Sequence, residues 1–243
     1  MRLKSTVHRQ GAGDDSAPGN DDARSLLQMG DPRVDPLVVA AFRSDDMVAK
    51  IRAIRAKVIA ATSEQNGLNT RIALTAVVGV SPGDAPSVLS ANLATVFAQM
   101  GTVTGLVDAG LADPAIASLL RVPEAPGVAD CLRTPDATIT AQRTAIPGLF
   151  VVPAGSDAAS QASHLERGAL VEQVEQWSMP GVRQIIVALP AMGDRVLALG
   201  NLLAGFDNVV VVAEKHRTKI ADIRRIVDVL DQRGIPVAGS VLV

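Results

Sequence analysis

Six short apolar runs separated by helix-length stretches constrain this chain more than any other feature. They are IALTAVVG (72–79), TGLVD (104–108), LFVVP (149–153), VRQIIVAL (182–189), NVVVVA (208–213) and PVAGSVLV (236–243). Runs of this length, rich in Val, Ile and Leu and with little polar alternation, are strands buried on both faces. Between them the apolar spacing turns helical, over 86–100, around 113–120 and 127–132, over 164–177, and from 189 to about Ala204. The last helix is predicted from a Thr218 cap to Gln232, with Ile220, Ile223, Val227 and Leu230 as its stripe and Gly234 ending it. An earlier helix, from Asp45 to about Thr62, carries Met47, Ile51, Ile54 and Val58 at helical spacing. Strands alternating with helices predict an α/β fold of three layers, a mainly parallel sheet with helices on both faces.

The bulk numbers narrow the function. Hydrophobic residues make up 48% of the 243 residues and aromatic residues only 2%, so the core must be built from Ala, Val, Leu and Ile. A formal net charge of −2 gives no electrostatic case for nucleic acid as the partner. Cys131, the one cysteine, excludes an intrachain disulfide and suits a reducing compartment. The apolar runs are strand length and the first residues lack a signal-peptide pattern, so the expectation is a cytoplasmic protein that meets a membrane only through a partner. Residues 1–34, with GAGDDSAPGNDD, lack apolar periodicity and are expected to be a disordered arm, leaving 35–243 as one domain.

The first strand runs into Val80-Ser81-Pro82-Gly83-Asp84-Ala85-Pro86-Ser87 and then a helix, the position of a phosphate-binding loop. A working loop reads G-x-x-x-x-G-K-[ST]: glycines let amides wrap the phosphates, lysine reaches them, and the hydroxyl binds Mg²⁺. Here Ala85 stands for the glycine and Pro86 for the lysine, and only Ser87 is kept. Proline suits the first helical turn but removes a charge and an N–H.

The segment SPGDAPSVLSANLATVFAQMG (81–101) resembles the corresponding segment of the bacterial tyrosine kinases, cytoplasmic partners of polysaccharide co-polymerases. The resemblance runs through LVDAGLADP (106–114), PGVADCL (126–132), LFVVPAG (149–155) and IIVALP (185–190), in the family's order. It implies a P-loop NTPase-like sheet of the kind related to ParA and MinD. Against the family's pattern Asp108 is kept, while Gly110 and Ala188 stand where carboxylates would hold Mg²⁺. The chain also contains no tyrosine, whereas the family phosphorylates a tyrosine cluster in its tail. These departures lead to the expectation of a chain that is not an enzyme, with no cofactor and no metal. Its nucleotide site, reduced to Gly83, Asp84, Ala85, Pro86, Ser87, Asp108, Gly110 and Ala188, would have lost its chemistry.

The resemblance further implies a role in capsule or holdfast-type exopolysaccharide synthesis through an inner-membrane co-polymerase or chain-length protein. In the family's oligomerisation helix, Arg52 and Arg55 match two of three motif positions and Ala49 replaces the glutamate, so a homo-oligomer contact or a solvated face are both open. Two other functions fit the same fold: a positioning scaffold of the ParA/MinD type, and an ATPase or kinase with an unusual loop using Ser87, Asp108 and a lysine such as Lys215. The basic cluster Lys215, His216 and Arg217 reads as an anion contact or a solvated loop. The three histidines, His8, His164 and His216, have no metal-ligand spacing.

Overall fold

A computed structural model describes residues 33–42, 46–66, 71–134, 139, 141–165, 170–177 and 179–243. Residues 1–32, and with them nearly all of the expected arm, lie outside the described residues. Among the described residues seven strands form one sheet in the order β3-β4-β2-β5-β1-β6-β7. They are β1 (Ala73–Gly79), β2 (Thr104–Asp108), β3 (Gln142–Arg143), β4 (Leu149–Val152), β5 (Gln184–Leu189), β6 (Asn208–Ala213) and β7 (Val237–Leu242). All neighbours are parallel except β3, which pairs antiparallel with β4.

The continuous apolar runs are explained by the helices on both faces. On one side lie α1 (Asp46–Asn66), α2 (Ala85–Gln99) and α3 (Ile116–Leu120). On the other lie α4 (Val128–Arg133), α5 (Ala158–Leu165), α6 (Leu170–Gln176), α7 (Leu199–Leu202) and α8 (Ile220–Gln232). Strand β5 shows the division: Ile185, Val187 and Leu189 pack in one core while Ile186 and Ala188 pack in the other. Alternate side chains point to opposite faces, so a doubly covered strand must be apolar at every position. Asp207, wholly buried at the entry to β6, accepts the Leu74 amide (2.7 Å) and pairs with Arg71 across the foot of the sheet. Cys131 is buried against Trp177, whose indole N–H donates to its Sγ at 3.1 Å.

Several expectations shift at this level. Of the predicted 164–177 helix, the described residues fall in α5, which begins earlier at Ala158, and α6, while residues 166–169 lie outside the described residues. The stretch after β5 begins as a 3-10 turn, Gly193–Ala198, before the single turn α7. Thr218 does not cap α8; the residue at that position is Lys219, without a side-chain cap bond. The Thr218 hydroxyl instead accepts the Glu214 amide (2.8 Å) and pairs with Ser81 Oγ (2.6 Å). Two-residue β3 carries no periodic signal and was not foreseen. Ahead of α1, Val34 and Val38 are buried, and this segment is sewn to α2 by Asn92, which accepts the Ala40 amide (3.0 Å) and donates to the Leu37 carbonyl (2.9 Å).

Candidate functional site

The carboxyl ends of β1, β5 and β2 lie side by side, where an open parallel sheet offers a ligand crevice. The register places Ala188 of β5 between Val77 of β1 and Asp108 of β2. The fold therefore brings together the loop 80–87, Asp108, Gly110 and Ala188, as the sequence predicts, while Arg52 and Arg55 lie away from them on α1.

The loop keeps its shape with different residues. Asp84 is the residue before α2 and its carbonyl accepts the Val88 amide at 3.0 Å, but its side chain makes no cap bond. Ala85 opens the helix and Pro86 follows within the first turn, where a missing N–H costs nothing to the helix. Pro86 is buried, and a Cβ built on Gly79 would stand 2.6 Å from its Cγ, so the ring fills the space beside the end of β1. Its carbonyl accepts the Ser90 hydroxyl at 2.7 Å. Ser87 is buried one residue further on.

Gly83 has φ +151°, and a Cβ there would lie 2.6 Å from Glu214 Oε1 and 3.6 Å from Arg217 Nη1. The loop after β6 thus leans over the phosphate-loop position. Arg217 is oriented by Glu214 at 2.6 Å, and the Ser81–Thr218 hydroxyl pair ties the two loops together. Sequence reasoning joined Lys215 of the basic cluster to the loop but not Arg217; the signal was the Glu214-x-x-Arg217 spacing, which pairs two side chains over one turn. Lys215, the lysine considered as a substitute, is exposed, and its amide donates to the Val243 carbonyl at 2.8 Å.

Asp108 has a structural task. Its carboxylate is fully buried and accepts the amides of Gly110 (3.0 Å), Ala115 (3.1 Å) and Ile116 (2.9 Å). It closes the turn after β2 and caps the start of α3. Burial pushes its carboxyl above the ordinary Asp range, against the pull of the three amides, and Asp113 adds to the rise. Gly110 lies close by, since a Cβ on it would stand 3.1 Å from Asp108 Oδ1. Ala188 is buried in β5 and offers no oxygen beyond its carbonyl, which accepts the Ala109 amide at 3.0 Å. The positions expected to hold Mg²⁺ do not fit a tightly held ion: Ser87 offers one neutral hydroxyl, the Asp108 carboxylate is committed to three amides, and Gly110 and Ala188 supply no side-chain oxygen. Among the described residues no group of three His, Cys, Asp or Glu could hold a metal ion, and no helix is long and apolar enough to cross a membrane.

No family model matches the sequence. A tyrosine-protein kinase named ptk, from Acinetobacter johnsonii, is 25% identical over 209 residues, 84% of this chain. The chain spans 27% of the length of that kinase. The kinase domain of Escherichia coli tyrosine kinase ETK superposes with a TM-score of 0.68 at 20% identity, covering 91% of this chain and 84% of that one. The VpsO kinase domain gives 0.59 at 22% identity, covering 81% and 97%. These findings correct the expectation that the chain is not an enzyme, because the named relative and the kindred folds are kinases and kinase domains. The physical reason is that the departures were all read from side chains. The strand–loop–helix frame persists, and phosphoryl transfer rests on positioning and backbone amides as well as on a lysine. Over these segments, in their order, the chain is similar in sequence to ptk, and its P-loop NTPase-like sheet is similar in fold to the ETK and VpsO kinase domains.

Proposed function

We propose that this chain is a tyrosine-kinase-type domain of bacterial exopolysaccharide assembly, working at the cytoplasmic face of the inner membrane with a polysaccharide co-polymerase or chain-length protein of capsule or holdfast type. The observation that carries the reading is the run of five segments, from 81–101 to 185–190, in the order of the tyrosine kinases, joined to the sequence similarity with ptk. At the loop, Arg217 supplies a guanidinium beside Gly83 where Pro86 stands in the lysine's place. A guanidinium presents a planar fork suited to phosphate oxygens.

The test is genetic and biochemical together. Deleting the gene is expected to lower surface polysaccharide per cell, and the tagged chain, extracted from membranes, is expected to carry a co-polymerase with it. Polymer unchanged in the deletion strain, with no co-polymerase recovered, would sink the reading.

A further inference from the structure

We infer that the face formed by the β6–α8 loop, the start of α8 and the 3-10 turn Gly193–Ala198 contacts an anionic lipid surface directly. Two aliphatic side chains stand out on it: Leu197 is 69% exposed and Ile220 is 70% exposed, the highest values among the large hydrophobic residues described. They line one open groove of ≈ 530 Å³ together with Arg224, Arg225 and Asp228. Ile220 and Arg224 are one helical turn apart and so share a face of α8.

Charge gathers at the same place. Between 214 and 225 the chain carries Lys215, Arg217, Lys219, Arg224 and Arg225 against Glu214 and Asp222, in a chain whose net charge is −2. All five cations are exposed, and Arg217 is paired with Glu214. A merely solvated basic face has no need of two protruding aliphatic side chains. Aliphatic prongs rimmed by Lys and Arg match the interface of an anionic bilayer, where the prongs enter the headgroup region and the cations meet lipid phosphate. Both side chains stay more than two-thirds exposed in a groove that is open rather than a closed slot, which favours a surface over an inserted peptide. This contact is independent of a co-polymerase and departs from the expectation that a partner alone brings the chain to the membrane.

The test is co-sedimentation of the purified full chain with vesicles of phosphatidylcholine alone or of phosphatidylcholine with phosphatidylglycerol. Binding is expected only to the anionic vesicles and is expected to weaken as salt rises. The double variant Lys219→Glu, Arg224→Glu should bind at least about tenfold more weakly, given roughly fivefold per charge at a lipid surface. Leu197→Ser with Ile220→Ser should weaken binding to the same vesicles, whereas Lys50→Glu, on α1, should leave it unchanged. All these positions are exposed, and a thermal melt verifies that each variant is folded. Failure of the wild type to bind anionic vesicles overturns the inference, as does binding that ignores both double variants. If vesicles are not bound but the charge-reversed strain loses polymer, the face belongs to a protein partner and the lipid assignment is wrong. None of the vesicle results bears on the polysaccharide reading, which stands or falls on the deletion strain.

Discussion

Asp108 shows how a residue matching a catalytic motif can be held by the fold itself. Three amides from the turn after β2 and the first residues of α3 donate to one buried carboxylate. Asp108→Ala would leave those donors without an acceptor in a dry site, and the expected loss of stability is about 2–4 kcal/mol by urea unfolding. A loss under about 0.5 kcal/mol would show that the amides find other acceptors. The pH dependence has a definite sign. Because burial raises the carboxyl, the folded chain takes up this proton more readily than the unfolded one. Its contribution is fully present below the ordinary Asp range and is lost as pH rises through the folded-state value. Asp108→Asn, similar in shape and without a titrating group, should flatten that leg of the stability profile. Sequence alone could place Asp108 at the end of a strand. It could not show that the amides of 110, 115 and 116 would converge on it, since that depends on how the chain turns over the sheet.

At the scale of elements, the doubly buried strands were the most legible part of the chain, because continuous Val, Ile and Leu leave few alternatives. TGLVD and NVVVVA begin and end where the runs do, at Thr104–Asp108 and Asn208–Ala213. Elements without that redundancy were harder to read. The segment after β5 has Gly193 at φ +49° and turns as a 3-10 helix, and β3 is two residues long. The first helix was placed correctly, and so was most of its face. Ile51 and Val58 are buried and Ile54 packs partly buried against the same core, as predicted, while Met47 is 53% exposed and Val48 is buried in its place. The loop between β1 and α2 was legible as a phosphate-loop position because strand, glycine and helix-initiating proline are all local signals. Its clasp by Glu214, Arg217 and Thr218 is a contact across more than 130 residues, which no local pattern carries. The loop allows a direct test. Pro86→Lys returns one charged donor to the first turn of α2 and should tighten Mg-ATP binding by about tenfold or more relative to the wild type, as one charge-assisted hydrogen bond permits. Calorimetry on both proteins measures it. Equal affinities would mean that the clasping loop, rather than the missing lysine, governs access to the cradle.

For the whole molecule, the way α1 packs limits how copies of the chain can meet. Arg55 lies four residues after Ile51 and three before Val58, within the buried stripe rather than beside it. Its guanidinium sits 4.9 Å over the Phe97 ring, bracing α1 against α2. Arg52 remains exposed, and Ile59, seven residues on and 38% exposed, shares its side of the helix. An interface between copies would therefore centre on Arg52 and Ile59, with Arg55 supporting the helix from beneath. Light scattering at tens of micromolar (roughly the range of a weak contact) should find the wild type self-associated. Arg52→Glu should weaken that association about tenfold, the value of one charge-assisted hydrogen bond, without moving the melting temperature. Arg55→Glu should do the reverse first, lowering the melting temperature because it sets a carboxylate against the negative face of Phe97. A wild type that stays monomeric, or an Arg52→Glu variant with unchanged mass, removes α1 as the contact. The two arginines that one motif groups together would then both belong to the monomer, one as solvated surface and one as a brace between helices.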